Sequence, residues 1–124
     1  MNRIAIFASG GGSNFISIHN NILSGYIIAE INIVISNNSK CGAVQYAKQN
    51  SIPVFIINRV RYPNKKDLEI KLMETLIKYK IDLICLAGYM KLIPEKIVSL
   101  YKNSILNIHP ALLPAFGGKG FFGK

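Results

Sequence analysis

Short apolar runs alternate with segments of helical periodicity along the whole chain. Arg3 to Ala8 is an apolar run closed by glycines, which predicts a buried strand. Phe15, Ile18 and Ile22 then recur at helical spacing, predicting a helix that begins near Ser13 or Asn14 and stops at Ser24-Gly25. A second strand is predicted from Ile27 to Ser36, followed by a polar turn over Asn37 to Lys40. Ala43, Val44 and Ala47 predict a modest helix ending before Ile52-Pro53, and Val54 to Ile57 a third strand.

A basic loop from Asn58 to Asn64 leads into the clearest helix. Leu68, Leu72, Leu76 and Tyr79 form its apolar stripe, while Glu74 and Lys78 stand four apart on the other side. Asp82 to Ala87 predicts a fourth buried strand, Pro94 suits the first turn of a helix through about Leu100, and Ser104 to Ile108 predicts a fifth strand. Such alternation implies an α/β protein with right-handed crossovers and a parallel sheet covered by helices on both faces. Ligands in open sheets of this kind sit beyond the carboxyl ends of the strands. Gly10 to Ser13, Gly88 to Met90, and Asn107 with His109 all follow or end strands, so they are expected to converge on one edge.

Composition narrows the class. A chain of 124 residues makes one domain, 1–124, and with half its residues hydrophobic and 17% charged, disorder is not expected. No apolar run is long enough to span a bilayer, and the N-terminus lacks the head, apolar stretch and cleavage site of a signal peptide, so the expected compartment is the cytoplasm, with no membrane partner. Cys41 and Cys85 form neither a C-x-x-C nor a cluster with histidine, so no metal is expected. Cys85, inside Leu83-Ile84-Cys85-Leu86-Ala87, reads as a small buried hydrophobe, and Cys41 begins a helix with no base beside it. The net charge of +9 is scattered from Arg3 to Lys124 without a basic, aromatic-interleaved stretch, which argues against nucleic acid as a partner. The positive field still favours small anionic substrates.

Two segments carry candidate chemistry. Ser9-Gly10-Gly11-Gly12-Ser13-Asn14 joins a strand to a helix. No lysine follows it, so it is not G-x-x-x-x-G-K-S/T, and it does not match G-x-G-x-x-G. It offers backbone N–H groups, a hydroxyl and an amide at the positive end of a helix, which suits one phosphate monoester; a helix cap with turn glycines is the other reading. In Asn107-Ile108-His109-Pro110, alternate residues of a strand end point the same way, so Asn107 and His109 look into a common pocket while Ile108 faces the core. An amide and a protonated imidazole can both donate to the oxygen of a tetrahedral adduct at a carbonyl. His19 has no acidic or cysteine partner at metal-binding spacing and reads as a surface or packing residue.

Together with Leu86-Ala87-Gly88-Tyr89-Met90-Lys91-Leu92-Ile93 and Leu106-Asn107-Ile108-His109-Pro110-Ala111-Leu112-Leu113-Pro114, the glycine loop resembles phosphoribosylglycinamide formyltransferase, the folate-dependent enzyme of purine biosynthesis, over the whole chain. The resemblance implies a Rossmann-like α/β fold, the N-terminal fold of formyltransferases. It also implies transfer of the formyl group of 10-formyltetrahydrofolate to the amine of glycinamide ribonucleotide, without a metal. By that resemblance Gly12, Ser13 and Asn14 bind the substrate phosphate, and Met90, Lys91, Leu92 and Ile93 border the folate. Lys65 falls where the family commonly has an arginine near the folate, keeping the charge and losing the planar fork. Asn107, which also meets the folate, and His109 are the implied catalytic pair. Related enzymes that formylate methionyl-tRNA or sugar nucleotides, and formyltetrahydrofolate hydrolases, share the Asn-x-His-Pro segment, but Gly-Ser-Asn after the first strand favours the purine enzyme.

The chain ends at Lys124, earlier than the family, and the resemblance implies that a catalytic aspartate downstream of Asn-x-His-Pro is absent. Low turnover of the chain alone is therefore expected. An exposed fifth strand through which copies self-associate is expected as well. The reading from a different class is a non-catalytic module that binds a ribonucleotide phosphate.

Overall fold

Strand and helix alternate along residues 2–108, the residues that the computed structural model describes. In order they are β1 (Asn2–Ala8), α1 (Ser13–Leu23), β2 (Ala29–Ser36), α2 (Gly42–Gln49), β3 (Val54–Ile56), α3 (Lys65–Lys78), β4 (Leu83–Leu86), α4 (Glu95–Leu100) and β5 (Ile105–Asn107). The strands form one sheet in the order β3-β2-β1-β4-β5, every neighbouring pair parallel. The chain thus starts in the middle, winds out to β3, then returns to the other side of β1 for β4 and β5. That reversal falls between β1 and β4, and it is beyond the carboxyl ends of strands at such a point that doubly wound sheets bind ligands.

Both faces of the sheet are covered, as predicted. Ile4, Ile6 and Ala8 of β1 join a core that includes Phe15 and Ile18 of α1 and Val44 and Ala47 of α2. Ala5 and Phe7 join the opposite core, with Leu72 and Leu76 of α3 and Ile97 of α4. Burial on two sides is why β1 is a continuous apolar run rather than an alternating one. Asn64 caps α3, its side chain accepting from the N–H groups of Lys66 at 2.8 Å and Asp67 at 3.4 Å.

The departures from expectation are local. β2 begins at Ala29, because the Ile27 N–H donates to the Asn21 carbonyl at 3.1 Å and Ile28 is 78% exposed; these two residues complete the turn out of α1. Pro94 is the cap of α4 rather than part of its first turn, and Tyr79 is the cap that ends α3. The predicted ends of the last three strands are one residue longer than the elements, yet ladder-like bonds reach them: Ile57 N–H to the Ser36 carbonyl, Ile84 N–H to Ser104, and Ile108 N–H to Leu86. Glu74 and Lys78 are both exposed, but the ion pair formed among the described residues is Arg3 with Glu30. β2 also carries a bulge: Ile31 pairs with Ile4 and Ile33 with Ala5, leaving Asn32 as the extra residue. Among the described residues, no helix is long and apolar enough to cross a membrane.

Candidate substrate site at the carboxyl edge

Because every strand runs the same way, the segments that follow β1, β3, β4 and β5 lie on one edge of the sheet. The glycine loop leaves β1 and turns into α1 at Gly12, which has φ +88°. Gly12 is the cap of α1, with no side-chain hydrogen bond to the first turn. The N-terminus of α1 is therefore left open, where a serine or asparagine cap would have closed it. Opposite, the Ala43 N–H at the start of α2 donates to the Gly10 carbonyl at 3.2 Å, so α2 absorbs one of the loop's acceptors.

Ser13 is exposed and Asn14 is only 8% exposed. The Asn14 side chain makes no hydrogen bond among the described residues. Among the described residues the first-turn backbone amides, the Ser13 hydroxyl and the Asn14 amide carry no partner, and groups of this kind at the positive end of a helix suit an anion.

Residues 87–93 follow β4 across the crevice. Gly88 has φ +75°, and the next two residues are tied back to the β1 side. Tyr89 packs edge-on against Phe7 of β1, ring centroids 5.2 Å apart, and burial raises its hydroxyl pKa. The Met90 N–H donates to Ser9 Oγ at 2.9 Å. Beyond these anchors Met90 and Leu92 are 80% and 96% exposed, Lys91 is exposed and Ile93 is half-buried. A strip of apolar side chains presented to solvent on a tethered loop is a surface that a flat ring can cover.

Asn107 pairs in register with Leu86, the last residue of β4, so it borders the start of that loop. It is exposed, while Ile108 is buried at 4% exposure, as strand alternation predicts. His109 lies outside the described residues. Lys65 is the first residue of α3, exposed, beyond the carboxyl end of β3. The structure therefore brings the glycine loop and the Met90 segment into direct contact, puts Asn107 beside the latter, and leaves Lys65 on the same edge but with no bond to either.

Ser9, at the start of the glycine loop, links these parts with Asn37 and Asn58, which no motif singled out. Ser9 donates to Asn37 Oδ1, the Asn58 amide donates to the Asn37 carbonyl at 3.0 Å, and Asn58 Oδ1 accepts from the Arg61 N–H at 2.9 Å. Their signal in the sequence is position: each is the first polar residue beyond the apolar end of a strand, or one residue past it. His19, by contrast, is a packing residue, its Nδ1 2.7 Å from the Tyr46 hydroxyl where α1 meets α2. Both cysteines are buried; Cys41 lies beside Ser36 Oγ, and Cys85 is inside the core. Among the described residues, no three His, Cys, Asp or Glu side chains gather in a way that could hold a metal ion.

Comparison with known proteins places these features in a lineage. A family model described as formyl transferase matches residues 2–121. The chain is 45% identical over 121 residues to a Vigna unguiculata protein named phosphoribosylglycinamide formyltransferase, chloroplastic, a match covering 98% of this chain and 39% of that protein. It is 36% identical over 118 residues to the phosphoribosylglycinamide formyltransferase of Bacillus subtilis (strain 168), covering 95% of this chain and 60% of that protein. The crystal structure of phosphoribosylglycinamide formyltransferase from Bacillus Halodurans is similar with a TM-score of 0.81 at 37% identity, over 93% of this chain and 59% of that one. The chain thus spans 39% and 60% of the lengths of the two named relatives.

Proposed function

The chain belongs to the formyl transferase family, and from that premise we propose that it acts in transfer of the formyl group of 10-formyltetrahydrofolate to the amine of glycinamide ribonucleotide in purine biosynthesis. The observation that carries the reading is the open N-terminus of α1, where Asn14, buried and without a hydrogen-bond partner among the described residues, follows Gly12 and Ser13. Gly12, Ser13 and Asn14 hold the ribonucleotide phosphate there. Met90, Lys91, Leu92 and Ile93 border the folate across the crevice, and Lys65 supplies a positive charge for its acidic end. Similarity to proteins named for this substrate supports the choice among formyl transferases.

In the proposed reaction the substrate amine attacks the formyl carbon and a carbon–nitrogen bond forms. Negative charge gathers on the formyl oxygen, to which the Asn107 amide and His109 donate. Collapse of that adduct breaks the bond from the formyl carbon to the folate nitrogen, while a proton passes from the substrate amine to the leaving nitrogen. The products are formylglycinamide ribonucleotide and tetrahydrofolate. No resident metal is assigned a role, and the compartment proposed is the cytoplasm.

The test is a calorimetric titration of the chain with glycinamide ribonucleotide, paired with a formyl-transfer assay. Saturable binding that Asn14→Ala weakens, with formyl transfer above the uncatalysed rate, is the expected result. Binding without transfer would favour a module that only holds the phosphate, and no binding by a folded chain would overturn the site.

A further inference from the structure

We propose that Ser9 is a positioning residue that sets the folate-facing segment against the phosphate loop; the identity of the two ligands rests on the formyl-transfer reading above. Ser9 stands at the crevice where the order of the strands reverses, one residue beyond β1. Its hydroxyl has one hydrogen to give and lone pairs to accept with, and both capacities are used. It accepts the Met90 N–H at 2.9 Å and gives its own hydrogen to Asn37 Oδ1. Asn37 is in turn held through its carbonyl by the Asn58 amide at 3.0 Å. One side chain therefore joins the ends of β1, β2 and β4, with β3 attached through Asn58.

The consequence falls on Met90. Its side chain is 80% exposed, and Leu92 is 96% exposed, so side-chain burial does not fix this part of the loop. Gly88 at φ +75° adds a bend before it. Tyr89 against Phe7 and Ile93 against the α3 and α4 side of the core hold the loop on either side, but neither fixes the peptide of Met90. The bond to Ser9 fixes the Met90 peptide, and with it the height of the apolar strip above the crevice. Because Ser9 also begins the glycine loop, the strut sets the distance between the phosphate site and the folate surface, which is what a transfer between two bound substrates requires.

The experiment compares the wild-type chain with Ser9→Ala, which removes both bonds, and Ser9→Thr, which keeps a hydroxyl. Amide hydrogen exchange is read at Met90 and at the buried residues of β1, and binding of 10-formyltetrahydrofolate and of glycinamide ribonucleotide is titrated separately. In Ser9→Ala, Met90 should exchange about tenfold faster and the folate should bind about tenfold more weakly. The β1 amides and ribonucleotide affinity should stay within about twofold, and Ser9→Thr should restore both affected values. Unchanged Met90 exchange, equal weakening of both ligands, or faster exchange throughout β1 would overturn the proposal. If the wild type binds neither ligand, the formyl-transfer reading fails, and Met90 exchange in the two variants still decides whether Ser9 holds that segment.

Discussion

A Cβ on Gly12 would stand 2.8 Å from the Ala43 Cα and 3.1 Å from the Ala43 Cβ, so the glycine loop and the start of α2 pack with no room for a side chain between them. The atoms in the way belong mainly to the helix backbone, which cannot rotate aside. Gly12 also has φ +88°, a conformation that costs an L-residue roughly 1–2 kcal/mol. Gly12→Ala is therefore expected to destabilise the chain by about 2–3 kcal/mol in urea unfolding and to weaken binding of glycinamide ribonucleotide. Gly25→Ala separates the two effects, because Gly25 has φ +87° with nothing within 4 Å; it should lose only about 1 kcal/mol. Equal losses in the two variants would mean that the contact with Ala43 is not tight.

Asn14 invites the opposite result. Its side chain is buried and makes no hydrogen bond among the described residues, so its removal breaks none of the bonds seen there. Asn14→Ala should leave the unfolding free energy within about 1 kcal/mol of wild type while lowering ribonucleotide affinity about tenfold or more. A large loss of stability with unchanged affinity would make Asn14 a structural residue and return the loop to a simple cap.

Much of this arrangement is legible in the sequence because its signals are local. Two-sided burial makes β1 apolar from Ile4 to Ala8, and Ser9, Asn37 and Asn58 mark the carboxyl edge after the first three strands. The bulge in β2 shows where local signals stop. Strict alternation would put Ile31, Ile33 and Ile35 on one face, yet Ile31 packs with the α1 and α2 side while Ile33 and Ile35 pack with the α3 and α4 side. The extra residue, Asn32, has meaning only once β2 is laid against β1, and its buried Oδ1 has no partner among the described residues. Ser9 is the same kind of case at the site. Its position is readable, but its bonds to Asn37 and Met90 join residues 28 and 81 positions apart and arise only from the strand order.

Arg3 holds the amino edge of the sheet, and its bonds differ in worth. Its Nε donates to the Tyr79 carbonyl at 3.0 Å, at the end of α3, and its backbone N–H donates to Asp82 Oδ2 at 2.9 Å. Its ion pair with Glu30 is 3.3 Å long between side chains 36% and 48% exposed, where water screens most of the attraction. Glu30→Gln should therefore change stability by less than about 0.5 kcal/mol. Arg3→Met, which strips the bond from the Tyr79 carbonyl, should cost about 1 kcal/mol, and raising the salt concentration should barely alter that cost. A larger effect from Glu30→Gln than from Arg3→Met, read from urea midpoints, would reverse this ranking.

Alkaline pH should loosen the fold through the core. Burial pushes the Cys85 thiol from an ordinary value of 9.0 up to about 12. Burial also raises Tyr89, and burial followed by the Asp82 carboxylate raises Tyr101. Above pH 9.0 the unfolded chain releases the Cys85 proton while the folded chain keeps it, so the folded state binds more protons. Stability must then fall as pH rises, by up to about 1.4 kcal/mol per pH unit from Cys85, until the folded thiol itself ionises near pH 12. Cys85→Ala removes one of these groups. It also leaves a small cavity, so its stability will be lower at neutral pH, and the informative quantity is the slope rather than the level. Unfolding free energies measured from neutral pH upward should decline less steeply in Cys85→Ala than in the wild type. Identical slopes would mean that the thiol ionises as readily in the folded chain as in the unfolded one, which its 3% exposure between β1 and β5 does not allow.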